Sequence, residues 1–272
     1  MSGFLITGKL MREHERTGGI DLRDFYCRRA LRLLPCAWAY LLVISIVARP
    51  RAAEIISAVL CFRNYLRPIQ GFAGHFWSLS IEEQFYFCWP LIMLLSGPRR
   101  ARWVAVFGAV GIALLRLWHS AELQSMPPAA FATQFRADAL FAGCAAALFA
   151  GSIRRWLSGL VLPLCVGLVV CFGFFREIPP LTESMIAAAI VAICADCERS
   201  AISSVLELRP LRYIGVISYS IYVWQQLFLS LPHNAGGLGI VLVALAVVSI
   251  LSHEYLEKPF MRASLSGQSA KA

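Results

Sequence analysis

Charge is scarce in this sequence: 15% of its 272 residues are Asp, Glu, Lys or Arg, while 58% are hydrophobic without counting glycine. Ordinary soluble domains hold roughly 45–50% apolar residues with glycine included. A soluble fold with a large core is therefore excluded, and apolar stretches recurring from about position 33 to 256 point to a chain that crosses a membrane several times. Internal repeats are also missing, as are low-complexity tracts, apart from a small-residue tail, ASLSGQSAKA at 263–272, expected to be disordered. There is no room for a second domain, so residues 1–262 are read as one membrane-embedded unit. No secretory leader is expected at 1–9, because Phe4-Leu5-Ile6 gives way to Lys9, short of the roughly 7–15 apolar residues such a leader needs. Nine cysteines, an odd number lying mostly inside apolar runs, imply no disulfide framework. The CxxC of Cys194 and Cys197 has no second pair, so no metal site is expected.

What is present is apolar periodicity of spanning length, and it predicts an all-α, polytopic transmembrane helix bundle. Candidate spans fall near 33–48, 84–97 with its flanks, 102–118, 136–151, 156–175, 181–196, 211–231 and 236–256. That makes about eight spanning helices, plus one short stretch, Ala53 to Phe62, read as re-entrant or interfacial. Residues 8–32 are polar, with seven basic side chains against four acidic ones, and are read as a loop. The net charge of +9 sits between apolar segments, so the basic residues read as topology determinants rather than a nucleic-acid surface. With 8–32 inside, most of the 25 Lys and Arg fall on that side, which favours both termini in the cytoplasm.

The stretch HFWSLSIEEQFYFCWPLIMLL, His75 to Leu95, puts Glu82 and Glu83 directly ahead of an apolar run. A carboxylate at the rim of hydrocarbon costs several kcal/mol unless compensated, so its presence points to use. Ser80-Ile81-Glu82-Glu83 has the spacing of a capping box, which would occupy Glu83. Glu82 is left over, on one helix face with Tyr86 and Trp89. A solvated carboxylate beside an aromatic belt is the plainer alternative. Arg136 and Asp138 form an intramembrane ionisable pair that would partly compensate one another, although two residues apart they do not share a face; Arg136 reaching Glu82 is the other possibility. Tyr219, Ser220, Tyr222 and Trp224 offer hydroxyls and a ring suited to an acceptor path, and ordinary helix packing accounts for them equally well.

WSLSIEEQFYFCWPLIM closely resembles the WSLxxEEQFYLxWP signature of the acyltransferase-3 family, integral membrane enzymes that acylate sugars, polysaccharides and other hydroxyl-bearing acceptors. SGFLIT at 2–7, IDLRDFYCRRALRLLP at 20–35, FRADALFAGCAAA at 135–147, LRYIGVISYSIYVWQQ at 211–226 and EYLEKPF at 254–260 are similar to further signatures in the family's order. The resemblance implies acyl-CoA as donor substrate with no permanently bound cofactor, and a carbohydrate or polysaccharide acceptor. It also implies a bacterial inner membrane, with membrane lipid as surroundings and no nucleic acid as partner. Arg28, Arg29 and Arg32 are placed to bind the coenzyme A phosphates, unless they only anchor a helix. Trp77, Ser78, Gln84, Tyr86, Arg136, Asp138, Tyr222, Trp224 and Gln225 are the substrate-binding candidates, and Gln225 stands where the family commonly has His.

Acyl transfer to a hydroxyl needs a general base, most often His. The resemblance implies that this His lies in an N-terminal spanning helix preceded by a basic residue, a pattern not found here, so the chain is read as N-terminally truncated relative to the family. Glu82 and His75, the histidine beside the signature, are the catalytic candidates. Two other readings stay open: a catalytically inactive remnant, and a membrane transporter of an acyl or sugar compound.

Overall fold

The computed structural model describes residues 1–119, 131–157, 207–230 and 235–262, and every regular element among them is helical. The elements are α1 (Ser2–Thr17), α2 (Leu22–Val47), α3 (Ala52–Val59), α4 (Phe76–Trp118), α5 (Thr133–Arg136), α6 (Asp138–Leu157), α7 (Arg209–Leu229) and α8 (Ala235–Ser252). The last runs into a π-helical turn, His253–Glu257. Among the described residues three stretches are long and apolar enough to cross a membrane, Leu22–Val47, Phe76–Trp118 and Gly237–Arg262, and a shorter apolar helix covers Asp138–Phe149. The all-helical membrane character expected from composition is present; the count of eight spans is not established. The expected spans at 156–175 and 181–196 lie almost wholly outside the described residues, as do Cys194, Cys197 and the tail at 263–272.

Residues 8–32 are not the loop their polarity suggests. α1 continues through Thr17 until Gly18, at φ 75°, closes it with a bond from its N–H to His14 O. Asp21 then caps α2 by accepting from the Asp24 N–H at 3.0 Å, and Asp24 pairs with Arg28 one turn on. The charges mark the outer face of helices: α1 buries Gly3, Ile6, Thr7 and Leu10 at helical spacing and exposes Lys9, Glu15 and Arg16. The short stretch after α2 is helical as α3, and eight residues rise only about 12 Å, too little for a hydrocarbon core of roughly 30 Å. α4 is two helices joined at Gly97, whose φ of 70° and ψ of 161° suit glycine, with Pro98 next. This matches the two separate apolar stretches at 84–97 and 102–118.

The chain divides into two compact units, residues 1–20 with 81–206, and residues 21–80 with 207–272. In the first, α1 packs along α6. Ala101, Ala105, Ala109 and Ala113 form a buried stripe at four-residue spacing on α4, and Ala109 shares a cluster with Ala142 and Ala146 of α6. Small side chains let apolar helices approach closely. Trp89 fills the remaining space, donating from Nε1 to Thr7 Oγ1 at 2.9 Å and stacking on Phe85. In the second unit, α2, α7 and the start of α4 bury Cys36, Tyr40, Ile44, Phe76, Val223 and Trp224. The link from α3 to α4 winds around the fully buried Arg63, which donates to Leu66 O at 2.8 Å and Pro68 O at 2.6 Å. Burial pushes its guanidinium pKa down, and Glu54 opposes that.

A Cβ on Gly3 would stand 2.0 Å from Leu140 O, backbone of the facing helix. Gly3→Ala is therefore expected to force α1 off α6 and lower stability by about 2–3 kcal/mol. Gly8→Ala, in the same helix, meets only the flexible tip of Arg12 at 3.7 Å and is expected to be neutral or stabilising by up to about 1 kcal/mol. Thermal unfolding of both variants in detergent checks this; equal midpoints would refute the close approach.

Candidate active site

α4 starts at Phe76, five residues before Ile81, so Ser80 is inside the helix and is not its cap. Its hydroxyl donates back to Phe76 O at 2.9 Å and accepts the Arg63 N–H at 3.2 Å, which corrects the capping-box reading. The reason lies upstream: Phe76, Trp77 and Ser78 turn their N–H groups onto Ala73, Gly74 and His75 carbonyls, so the helix is already nucleated. Glu82 is half-buried in the first unit. Its Oε1 accepts from Ser2 Oγ at 3.0 Å and its Oε2 from Tyr86 OH at 3.4 Å. The shared face of Glu82, Tyr86 and Trp89 is thus real, and it meets α1. Gln84 turns elsewhere, accepting from Thr133 Oγ1 of α5 at 2.5 Å.

Asp138, 1% exposed, is compensated by Arg116 rather than by Arg136. Arg116 Nη2 donates to Asp138 Oδ1 at 2.8 Å, and its Nε donates to Phe135 O at 2.7 Å. Two-residue spacing separates Arg136 from Asp138, and Arg136 is exposed over the Phe131 ring at 5.7 Å. The signal for the Arg116 pairing was present but faint: one lone cation and one lone anion, each in its own apolar stretch, 22 residues apart.

In the second unit His75, Ser78, Tyr222 and Trp224 come together. The Tyr222 hydroxyl donates to His75 O and lies 2.5 Å from Ser78 Oγ. His75 Nε2 lies 3.0 Å from Val223 O, so it carries the hydrogen and Nδ1 the lone pair. The imidazole stands edge-on to Tyr40 at 5.3 Å, and Trp224 meets the same ring at 5.4 Å. His75 Nδ1 is buried without a hydrogen-bond partner among the described residues. Trp77 and Gln225 are half-buried nearby in sequence. Of the arginine cluster on α2, Arg28 and Arg29 are half-buried and Arg32 is exposed, with Arg28 engaged by Asp24. Arg63, which holds the loop, and Ser2, which holds the carboxylate, are not among the site residues expected from the sequence.

Burial pushes the His75 pKa down to about 4, the bond to Val223 only partly opposing it. A base whose folded pKa is depressed favours folding above its unfolded value of roughly 6.5, and that contribution is lost as pH falls toward the folded value. Detergent-solubilised protein is expected to lose stability between about pH 6.5 and 4, and His75→Gln is expected to flatten that slope. An unchanged slope in the variant would remove His75 as its cause.

The chain belongs to the acyltransferase domain family, whose model it matches over residues 1–252. It is 28% identical over 312 residues to YrhL of Bacillus subtilis, provisionally named a peptidoglycan O-acetyltransferase, covering 95% of this chain and 49% of that protein. It is 24% identical over 314 residues to the peptidoglycan O-acetyltransferase OatA of Listeria monocytogenes, covering 96% and 50%. The chain thus spans about half the length of the curated relatives it matches. No solved structure matches it.

Proposed function

We propose that the chain transfers a short acyl group, acetyl in the first instance, from acyl-CoA to a carbohydrate hydroxyl, with peptidoglycan as the acceptor class. It would do so in a bacterial inner membrane, with both termini cytoplasmic. The carrying observation is Glu82, an acidic side chain kept in an apolar helix and aimed by Ser2 and Tyr86. In this reading the carboxylate accepts the hydrogen bond of a sugar hydroxyl and orients its oxygen toward the acyl carbonyl. Within the second unit His75 Nδ1 is a neutral acceptor, and its low proton affinity suits orientation more than proton storage. Arg28, Arg29 and Arg32 hold the donor's phosphates by charge-assisted bonds. Gln84 and Arg136 in the first unit, and Trp77, Ser78, Tyr222, Trp224 and Gln225 in the second, are the polar or aromatic groups each unit offers to substrate. The names of the relatives support the acetyl group and the glycan acceptor.

Membranes holding the chain are given acetyl-CoA labelled in its acetyl group, with glycan acceptor present. The expected result is alkali-labile label on glycan hydroxyls. Label crossing the membrane with no new ester would favour transport instead, and transfer from another acyl thioester alone would correct the donor.

A further inference from the structure

The second half of α4, after the break at Gly97, turns its alanine stripe inward and leaves the opposite face uncovered. Trp103, Phe107, Val110 and Leu114 lie on that face, at spacings of four, three and four residues, and all are exposed. From 103 to 114 the helix rises about 16 Å. That is close to half of a hydrocarbon core of roughly 30 Å, so the strip spans one leaflet. Cations head it. Arg99 and Arg100 are exposed and lie four and three residues before Trp103, on the same face. Arg102 holds its guanidinium 5.7 Å from the Trp103 ring centroid and 5.8 Å from that of Phe149 on α6. Its Nε is buried without a hydrogen-bond partner among the described residues.

No Asp or Glu occurs between Glu83 and Glu122 to balance these arginines. They also follow directly on the break at Gly97, where the restarting helix presents the positive end of its dipole and favours an anion. Like charges crowded there cost free energy unless an anion joins them, and the apolar strip below them says which kind. We propose that Arg99, Arg100 and Arg102 hold the phosphate of an anionic phospholipid whose acyl chain lies along Trp103, Phe107, Val110 and Leu114. A soluble phosphate would satisfy the charges but has nothing to lay on the strip. A zwitterionic lipid brings its own cation, which the arginines repel. Trp103 stands between the two parts, where an indole ring meets the headgroups with one edge and the chains with its face. The site lies wholly within the first unit and does not depend on the acyl-transfer reading.

The full chain in phosphatidylcholine vesicles tests this, with a small share of lipid carrying brominated acyl chains, which quench the tryptophans they touch. The Trp103 signal is the fluorescence difference between wild type and Trp103→Phe. Brominated phosphatidylglycerol is expected to quench it at a membrane fraction about fivefold lower, or lower still, than brominated phosphatidylcholine needs; fivefold is what one arginine near an anionic surface supplies. Arg99→Gln combined with Arg100→Gln is expected to remove most of that preference, and Arg16→Gln, at an exposed cation of α1, to keep it. Equal quenching by the two lipids in wild type, or an unchanged preference in the double variant, overturns the site. No quenching of Trp103 by either lipid means that protein covers the strip, and overturns it too. Inorganic phosphate that abolishes the preference, where sodium chloride of equal ionic strength does not, assigns the arginines to a soluble phosphate and overturns the lipid.

Discussion

Glu82→Gln is expected to slow acetyl transfer to a carbohydrate hydroxyl by about a hundredfold to a thousandfold, comparable to the loss of an aimed electrostatic group elsewhere. The amide keeps the shape of the side chain but not its charge. Ser2 and Tyr86 both donate to the carboxylate, so an amide that accepts one of them turns its NH2 on the other. Tyr86→Phe removes only the longer contact, 3.4 Å, and is expected to cost about 1 kcal/mol or less. Glu82→Asp keeps the charge and withdraws it by one methylene, and is expected to fall between the two. Initial rates of labelled transfer, with unfolding midpoints measured alongside, separate chemistry from folding. A Glu82→Gln protein that unfolds like wild type and transfers at the wild-type rate would remove Glu82 from the site.

What could be read from residue order was whatever depends on near neighbours. The apolar runs at 84–97 and 102–118 divide at Gly97-Pro98, where backbone geometry does break the helix. Glu82, Tyr86 and Trp89 share a face because helical periodicity places them there, and on that face Glu82 meets Ser2 and Trp89 meets Thr7 of α1. Polarity is a poor guide to irregularity. Residues 8–32 are polar because α1 and the start of α2 present charged faces, and only 18–21 lie outside helix. The capping box failed similarly: its residue pattern was correct, but turn bonds from Phe76, Trp77 and Ser78 had started the helix earlier. Long-range pairings left no periodic trace. Nothing local ties Ser2 to Glu82, 80 residues on, or Arg63 to the carbonyls it gathers before Gly71. Such contacts follow from which helices pack together, and small-residue stripes only hint at that.

Arg116→Met is expected to destabilise the first unit by about 3–5 kcal/mol, because it strands the Asp138 carboxylate at 1% exposure. Asp138 Oδ2 already has no hydrogen-bond partner among the described residues, so Oδ1 depends on Arg116 for its one short contact. Asp138→Leu alone is expected to be milder, since Arg116 is 14% exposed along its side chain and keeps its bond to Phe135 O. The double variant, Arg116→Met with Asp138→Leu, removes both charges at once and is expected to recover most of the loss. What remains is about 1 kcal/mol, for the Phe135 carbonyl that has lost its donor. Unfolding midpoints of the two single variants and the double, in one detergent, give the coupling. A double variant as unstable as the sum of the singles would mean that the two side chains do not act as a pair, and Asp138 would then need another cation to explain its burial.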